Sequence, residues 1–303
     1  MLAVKRPLLL CCGVLALLAP GRDPAPRRAL WRVTWSPARP GQGSLVSLSV
    51  YPDSVARDGS RAVTLSADAA GEPLHFETGG GDAGYWALAA VPLDTADSMI
   101  VGLTIERAEG ATDTLRIRIP IASRAASTDS LHRSSAMSQM GESSFVALGL
   151  RDAKLMRAAR LRTHDTPRLW REAFVRPVPG RVTSPFGTWR AWDGVLNSRH
   201  DGVDLAGASG TPVRAANRGV VALVAAQYYG GLTILIDHGA GLMTTYQHLS
   251  HAAVAVGDTV VRGARIGRVG ATGNVTGPHL HWGTSYGAVL VDALALLGVE
   301  RPR

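Results

Sequence analysis

Short runs of strand-forming residues, separated by clusters of glycine, proline and aspartate, recur over most of this chain. In the first part of the chain these runs are 30–35, 44–51, 62–67, 85–90, 98–105 and 114–119. Turn clusters such as 57–60 (RDGS) and 79–82 (GGGD) lie between them. Short strands at regular spacing with such turns are typical of a β-sandwich. Residues 29–120 are therefore predicted to form a β-sandwich-like domain.

From Phe174 onward the sequence consists of short strand-forming runs and glycine turns. The clearest runs are 220–226, 232–237, 243–249, 264–269 and 278–282. No long helical period is present, so residues 174–298 are predicted to form a second, antiparallel β domain. The sequence as a whole predicts a mainly β fold.

Residues 121–173 separate the two predicted domains. The segment 121–144 contains eight serines and few large apolar side chains, which is typical of a linker or flexible arm. A short helix is predicted over 151–162, with Leu155, Met156, Ala159 and Leu161 on its apolar side. Its basic residues recur every three positions, which is typical of a solvated face or of a contact with an anionic partner.

The N-terminus has the layout of a secretory signal peptide. Lys5 and Arg6 precede an apolar run over 7–19, and Pro20-Gly21 ends it. The run is shorter than the roughly 20 residues that a transmembrane helix needs. Residues 1–22 are therefore predicted to direct export; an uncleaved membrane anchor is the alternative. Cys11 and Cys12, the only cysteines, lie inside this run, so any metal in the mature protein must be held by histidine and carboxylate.

The formal net charge is +8, from 32 basic and 24 acidic side chains, and only Lys5 and Lys154 are lysines. The excess of positive charge follows residue 120. This balance favours an anionic partner. Because the sequence has no dense block of Lys and Arg, no nucleic-acid partner is predicted.

Five polar residues of the last domain form an ordered set. His200 and Asp204 are four positions apart, His248 follows in the stretch Tyr246-Gln-His-Leu249, and His279 and His281 flank Leu280. The remaining histidines stand alone and are predicted to be structural or at the surface; these are His75, His132, His164, His238 and His251.

The spacing of His279 and His281 places both imidazoles on one face of a strand. A catalytic zinc takes three ligands from His, Asp or Glu and keeps a fourth position open for water, whose pKa falls to about 7. His200, Asp204 and one member of the His279/His281 pair supply such a set. The histidines left over are candidates for proton transfer and for stabilising charge on the attacked carbonyl.

With these motifs, residues 170–297 resemble the lysostaphin/LytM family of zinc peptidoglycan endopeptidases, which have a duplicated hybrid motif fold. The stretches that carry the resemblance are Ser184-Pro-Phe-Gly187, His200-Asp-Gly-Val-Asp-Leu-Ala206, Gly210-Thr-Pro-Val-Arg-Ala215, Thr245-Tyr-Gln-His-Leu-Ser250 and Thr272-Gly-Asn-Val-Thr-Gly-Pro-His-Leu-His-Trp282. The upstream part resembles, more loosely, the β-domain and helical arm of bacterial members.

The resemblance implies a role for each residue of the set. His200, Asp204 and His281 would bind one Zn²⁺ per chain, and His248 and His279 would be the catalytic histidines. The implied substrates are the peptide stems and cross-links of bacterial peptidoglycan. Export then implies a location in the periplasm or cell envelope rather than release into the medium. The order of the domains and the serine-rich arm lead to the hypothesis that the front domain inhibits the enzyme or targets it to an envelope protein.

The sequence departs from the family at one position of interest. Members often carry a tyrosine shortly before the first ligand, but no tyrosine lies between Arg181 and His200, where Trp192 and Asn197 stand. The alternatives are a non-catalytic cell-wall-binding or regulatory module of the same fold, and a structural zinc site. Which cross-link is cut stays open at this point.

Overall fold

The computed structural model describes residues 31–52, 63–78, 84–107, 110–131, 142–192 and 195–299. The predicted signal peptide, with both cysteines, lies outside these residues. Strands account for 52% of the structure and helix for 11%, which confirms the prediction of a mainly β fold.

Two antiparallel four-stranded sheets form the first part of the described chain, here called the N-terminal sandwich. One sheet has the order β1 (Trp31–Ser36), β2 (Leu45–Pro52), β6 (Tyr85–Ala90), β5 (Glu77–Thr78). The other has the order β4 (Glu72–Pro73), β3 (Val63–Ala69), β7 (Ser98–Arg107), β8 (Thr112–Pro120). Alternate residues of β7 are buried, and Leu103 and Ile105 pack with Trp31 and Val50 of the first sheet. The alternating apolar pattern therefore builds a two-layer core.

A ten-stranded sheet forms the C-terminal part, and antiparallel pairs connect its strands. Its main path is β10 (Val182–Ser184), β13 (Gly202–Ala206), β20 (His279–Tyr286), β17 (Leu242–Ala252), β16 (Gly231–Gly239), β15 (Gly219–Gln227), β18 (Thr259–Val260). Three further strands pair beside this path: β14 (Pro212–Arg214), β19 (Arg265–Val269) and β21 (Val289–Val291).

The pairing of β20 with its two neighbours brings distant motifs together. On one side, β13 pairs with β20 so that Asp204 lies opposite His281 and Ala206 opposite His279. On the other side, β17 pairs with β20 so that Gln247 lies opposite His281. Histidines and a carboxylate from three separate segments are thus placed at one end of three adjacent strands.

A single α-helix, α1 (Glu142–Leu161), lies between the two parts in the described chain. It begins nine positions before the predicted start at residue 151, because the serine-rich composition that suggested a linker continues into the first turn of the helix. Met156 and Ala159 pack against Leu235 and Met243 of the large sheet. Leu155 and Leu161, placed on the apolar side by the sequence pattern, are 43% and 42% exposed, so the buried stripe is narrower than predicted.

The segment expected to be a linker also contains a strand. Residues Thr128–Leu131 form β9, which pairs in parallel with β11 (Trp189–Trp192), and β11 pairs with β12 (Val195–Arg199). The result is a three-stranded sheet next to His200. A parallel pair between segments about 60 residues apart leaves no local sequence signal.

The N-terminal sandwich docks on the C-terminal sheet through buried polar contacts. Glu72 accepts a hydrogen bond from the Ala288 N–H at 2.9 Å, and its other oxygen lies 2.9 Å from His164 Nε2. The Tyr286 hydroxyl donates to the Pro73 carbonyl at 2.9 Å. His164 Nδ1 in turn lies 2.8 Å from His75 Nε2, so these two histidines are structural, as predicted.

Within the described ranges, none of the helices has the length and apolar character that a membrane crossing requires.

Candidate metal centre

Three buried donor atoms converge at the end of β13 and β20. His200 Nε2 lies 3.0 Å from Asp204 Oδ1 and 3.0 Å from His281 Nδ1, and the last two atoms are also 3.0 Å apart. The exposed fractions of these residues are 1%, 7% and 3%. Zinc ligands at about 2.0–2.1 Å in a tetrahedral arrangement lie roughly 3.3 Å from one another, so the donor set fits a zinc ion.

Gly202 makes room for this arrangement. A Cβ atom at this position would lie 2.6 Å from His281 Nε2 and 2.7 Å from the Trp282 carbonyl oxygen. Glycine between His200 and Asp204 therefore allows β13 to approach β20 closely enough for the three donors to meet.

Backbone and side-chain contacts fix the orientation of His200. Its Nδ1 lies 3.0 Å from the Pro185 carbonyl, which can only accept, so Nδ1 carries the proton and the Nε2 lone pair faces Asp204 and His281. Ser184 Oγ lies 3.2 Å from the same Nδ1 and donates to Asp129 of β9 at 2.6 Å. Such outer contacts set the tautomer of a metal-binding histidine.

His281 has a carboxylate on each side of its ring. Nδ1 faces Asp204, and Nε2 lies 3.3 Å from Asp201 Oδ1. Burial disfavours the charged imidazole, but the two carboxylates outweigh it and raise the pKa of His281 to about 9. Burial likewise opposes ionisation of Asp204, yet the adjacent imidazoles of His200 and His281 hold its pKa below the usual range.

Two further imidazoles flank the donor set. The rings of His248 and His279 are 4.8 Å apart between centroids, and His279 Nε2 lies 3.6 Å from Asp204 Oδ1. His279 Nδ1 donates to the Gly277 carbonyl at 2.9 Å, and His248 Nδ1 donates to the Thr272 carbonyl at 3.0 Å. In the neutral form of both rings Nε2 is therefore the nitrogen with the free lone pair.

His248 occupies an unusual backbone conformation. Its φ is +62°, and it lies where the pairing of β16 with β17 shifts register. A non-glycine residue in this region costs of order 1–3 kcal/mol and is found most often at functional sites. A bulge of this kind re-aims a side chain, and here it turns the imidazole toward His279. Burial, followed by the charges of His281 and His279, lowers the pKa of His248 to about 3.

The structure places all five residues of the predicted set in one cluster. His238 is fully buried elsewhere, with Nδ1 donating to the Arg218 carbonyl at 2.7 Å, and His251 is exposed, as expected of structural and surface histidines. His132 lies outside the described residues. Sequence reasoning missed Asp201, although it lies inside the first motif, and Arg190, which lies in no motif.

The domain is an antiparallel β structure that holds a buried His/Asp/His donor set, with two more histidines beside it. This is the architecture of a β-sheet metallopeptidase. Residues 198–293 match peptidase family M23, so the chain contains a domain of that family. This match confirms the resemblance inferred from the motifs.

Two curated relatives each match about a third of the chain. The chain is 48% identical over 83 residues to the peptidoglycan DD-endopeptidase ShyA of Vibrio cholerae serotype O1, covering 27% of this chain and 19% of the relative. It is 41% identical over 111 residues to the DD-carboxypeptidase/endopeptidase Mpg of Neisseria meningitidis serogroup B, covering 34% and 24%. The chain thus spans about a fifth to a quarter of the length of these relatives.

One solved structure resembles the chain over a longer range. The crystal structure of a putative peptidase M23 from Pseudomonas aeruginosa is 26% identical, with a TM-score of 0.64, and the match covers 86% of this chain and 96% of that one. The likeness therefore includes the N-terminal sandwich as well as the peptidase domain.

Proposed function

We propose that this chain is a zinc-dependent endopeptidase that hydrolyses peptide cross-links of bacterial peptidoglycan, with one Zn²⁺ per chain. The observation that carries the proposal is the mutual 3.0 Å separation of the donor atoms of His200, Asp204 and His281. The family assignment supports the peptidase chemistry, and the names of the relatives support the substrate class.

His200, Asp204 and His281 would hold the metal. Binding of the metal would displace the extra proton that the two carboxylates hold on His281. Two neutral imidazoles and one carboxylate then leave a net charge of +1 on a divalent ion, and three protein ligands leave a position open. A zinc ion bound there supplies an electrophile that polarises the scissile carbonyl and acidifies a water molecule. A structural zinc site would instead need a fourth protein ligand.

We assign proton transfer to His248 and His279. Each ring donates its Nδ1 proton to a backbone carbonyl and keeps Nε2 as a base. The low pKa of His248 keeps its imidazole neutral at physiological pH. The pair would take the proton of the attacking water and deliver it to the leaving amine.

The chain would act in the periplasm or cell envelope, with peptidoglycan stems and an envelope protein as its partners. A wall substrate, together with the export signal predicted over residues 1–22, supports a periplasmic or envelope location. The positive charge of the chain favours encounter with the carboxylates of peptide stems, in a salt-dependent way. The N-terminal sandwich is the candidate contact for an envelope protein.

The decisive experiment incubates the purified, zinc-loaded chain with cell-wall sacculi. Sacculi with directly cross-linked stems and sacculi with glycine bridges are compared, and mass analysis of the released fragments names the bond that is cut. We expect cross-linked fragments to disappear in one wall type. His279→Ala should abolish release, whereas His251→Ala, the same change at an exposed histidine, should not.

The alternative, a non-catalytic wall-binding module, gives a different result. Such a module would sediment with sacculi and release no fragments despite a full zinc load. Absence of cleavage in both wall types would therefore contradict the proposal.

A further inference from the structure

The two carboxylate oxygens of Asp204 have different partners. Oδ1 lies 3.0 Å from both His200 Nε2 and His281 Nδ1, within the donor set. Oδ2 accepts a hydrogen bond from Arg190 Nη2 at 3.1 Å. One oxygen is thus directed at the metal position, and a guanidinium holds the other away from it.

The contact between Arg190 and Asp204 is partly shielded from water. The side chains of the two residues are 25% and 10% exposed. Arg190 Nε is buried, and within the described residues it has no hydrogen-bond partner. No second carboxylate among them therefore binds this atom and draws the guanidinium away from Asp204. A hydrogen bond between two charged groups in such a setting is stronger than a neutral one.

The backbone around Arg190 is fixed by the three-stranded sheet β9–β11–β12. Arg190 pairs with Asp129 of β9 and with Ser198 of β12. The neighbouring Trp189 N–H donates to the Ser127 carbonyl at 2.8 Å, and the guanidinium of Arg199 stacks over the Trp189 ring at 4.3 Å. Arg190 is therefore presented to Asp204 from a strand held on both sides, and it lies outside residues 198–293, which match the family.

We propose that Arg190 is a positioning residue that restricts Asp204 to one metal-binding oxygen; this rests on the metal site of the proposed function. A carboxylate is able to ligate with one oxygen or with both. With Oδ2 held by the guanidinium, only Oδ1 is free for the metal, and the position that Oδ2 would fill stays open for water and substrate. The positive charge also draws electron density from the ligand, which keeps the ion electrophilic.

Loss of the guanidinium should affect metal affinity and kcat in different ways. Without Arg190, Oδ2 is free to turn toward the metal, which adds a ligand atom and fills the open position. Metal affinity should then stay equal or rise, while kcat falls by about tenfold or more, the size usual for loss of an outer contact. A residue that merely supports the fold would instead weaken metal binding and activity together.

The test uses the full chain with Co²⁺ in place of Zn²⁺, because the visible absorption of Co²⁺ reports its coordination number. In Arg190→Met, and in Arg190→Gln as a second variant, we expect weaker absorption, typical of added coordination. Arg190→Lys, which keeps a charged donor, should restore part of the absorption and part of kcat. Arg116→Gln, an equal charge change at an exposed position of β8 in the N-terminal sandwich, is the control and should be unchanged.

Either of two results would overturn the proposal. One is a Co²⁺ spectrum of Arg190→Met or Arg190→Gln identical to that of the unmodified chain. The other is a fall in Co²⁺ affinity, measured by chelator competition, that equals the fall in kcat. The spectrum and the affinity need no cell-wall substrate, so they test Arg190 even if the proposed substrate is wrong.

Discussion

The imidazole of His281 lies between two carboxylates, with Nδ1 facing Asp204 at 3.0 Å and Nε2 lying 3.3 Å from Asp201. The ring therefore has one nitrogen for the metal position and one for an outer acceptor. A carboxylate behind a metal-binding histidine fixes the ring and makes it a better donor. Asp201, adjacent in sequence to His200, thus serves a ligand that lies 80 positions further along the chain.

Asp201→Ala should weaken zinc binding by about ten- to a hundredfold, because His281 loses its outer acceptor. Asp201→Asn keeps an acceptor oxygen without the charge. Its zinc affinity should lie between those of Asp201→Ala and the unmodified chain. Competition with a chromophoric chelator measures the affinity. Asp258→Asn, in a surface loop, is the control, and an unchanged affinity in Asp201→Ala would show that the contact has no influence on the metal.

The five polar residues should separate into two classes on mutation. His281→Ala removes one of three donors and should abolish stoichiometric zinc binding. His248→Ala and His279→Ala should keep the metal and lose about 10²- to 10⁴-fold in kcat, the usual contribution of a proton-transfer group. Zinc content by elemental analysis, beside cleavage kinetics, distinguishes the classes. Loss of zinc in His279→Ala, with retention in His281→Ala, would reverse the assignment.

Gly202→Ala adds a single methyl group and should still distort the arrangement of the three metal-binding side chains. The added Cβ would lie 2.6 Å from His281 Nε2, so the ring or the strand must move. We expect weaker zinc affinity by chelator competition. Gly41→Ala adds a Cβ with no neighbour within 4 Å and should bind zinc normally.

Glu72→Ala should loosen the docking of the N-terminal sandwich. The change leaves the Ala288 N–H and His164 Nε2 without their buried acceptor, and each unsatisfied group costs roughly 1–3 kcal/mol. We expect a lower free energy of unfolding and faster hydrogen exchange at the Ala288 amide. Glu106→Ala, at an exposed position of β7, should have neither effect.

His238 should make the chain sensitive to acid. Burial lowers its pKa from 6.5 to about 4, so the unfolded chain binds this proton more readily than the folded one. The stability due to neutral His238 is complete above pH 6.5 and is lost as the pH falls toward 4, by about 3 kcal/mol in total.

His238→Asn keeps a donor for the Arg218 carbonyl and removes the titrating group. Its free energy of unfolding should therefore fall less steeply between pH 6.5 and pH 4 than that of the unmodified chain. Denaturant titrations at several pH values measure the difference, and parallel curves for the two proteins would contradict the prediction.

Strands and site residues could be read from the sequence where their signals are local. Alternation of apolar residues gave β2, β6 and β7 within two positions, and the spacing of His279 and His281 placed both rings on one strand face. The contacts that Arg190 makes near the metal position leave no local pattern in the sequence. Arg190 meets Asp204 only because β11 is held between β9 and β12, and that pairing depends on segments far apart in the chain.

The backbone of His248 was beyond sequence reasoning for a different reason. Its sequence predicts an ordinary extended residue in a strand, and its local preference is against a φ of +62°. The surrounding strands impose the conformation. Such conflicts between local preference and tertiary structure are concentrated at functional sites.

The parallel strand Thr128–Leu131 determines where the smallest fragment with a complete metal centre would begin. A piece cut at residue 198, the start of the family match, would lack both Arg190 and the hairpin that carries it. A piece cut after residue 131 would keep the hairpin but expose the outer edge of Trp189–Trp192, whose free amides and carbonyls would invite pairing with a neighbouring molecule. A fragment that keeps the complete metal centre and covers this strand edge therefore requires a boundary upstream of Ser127.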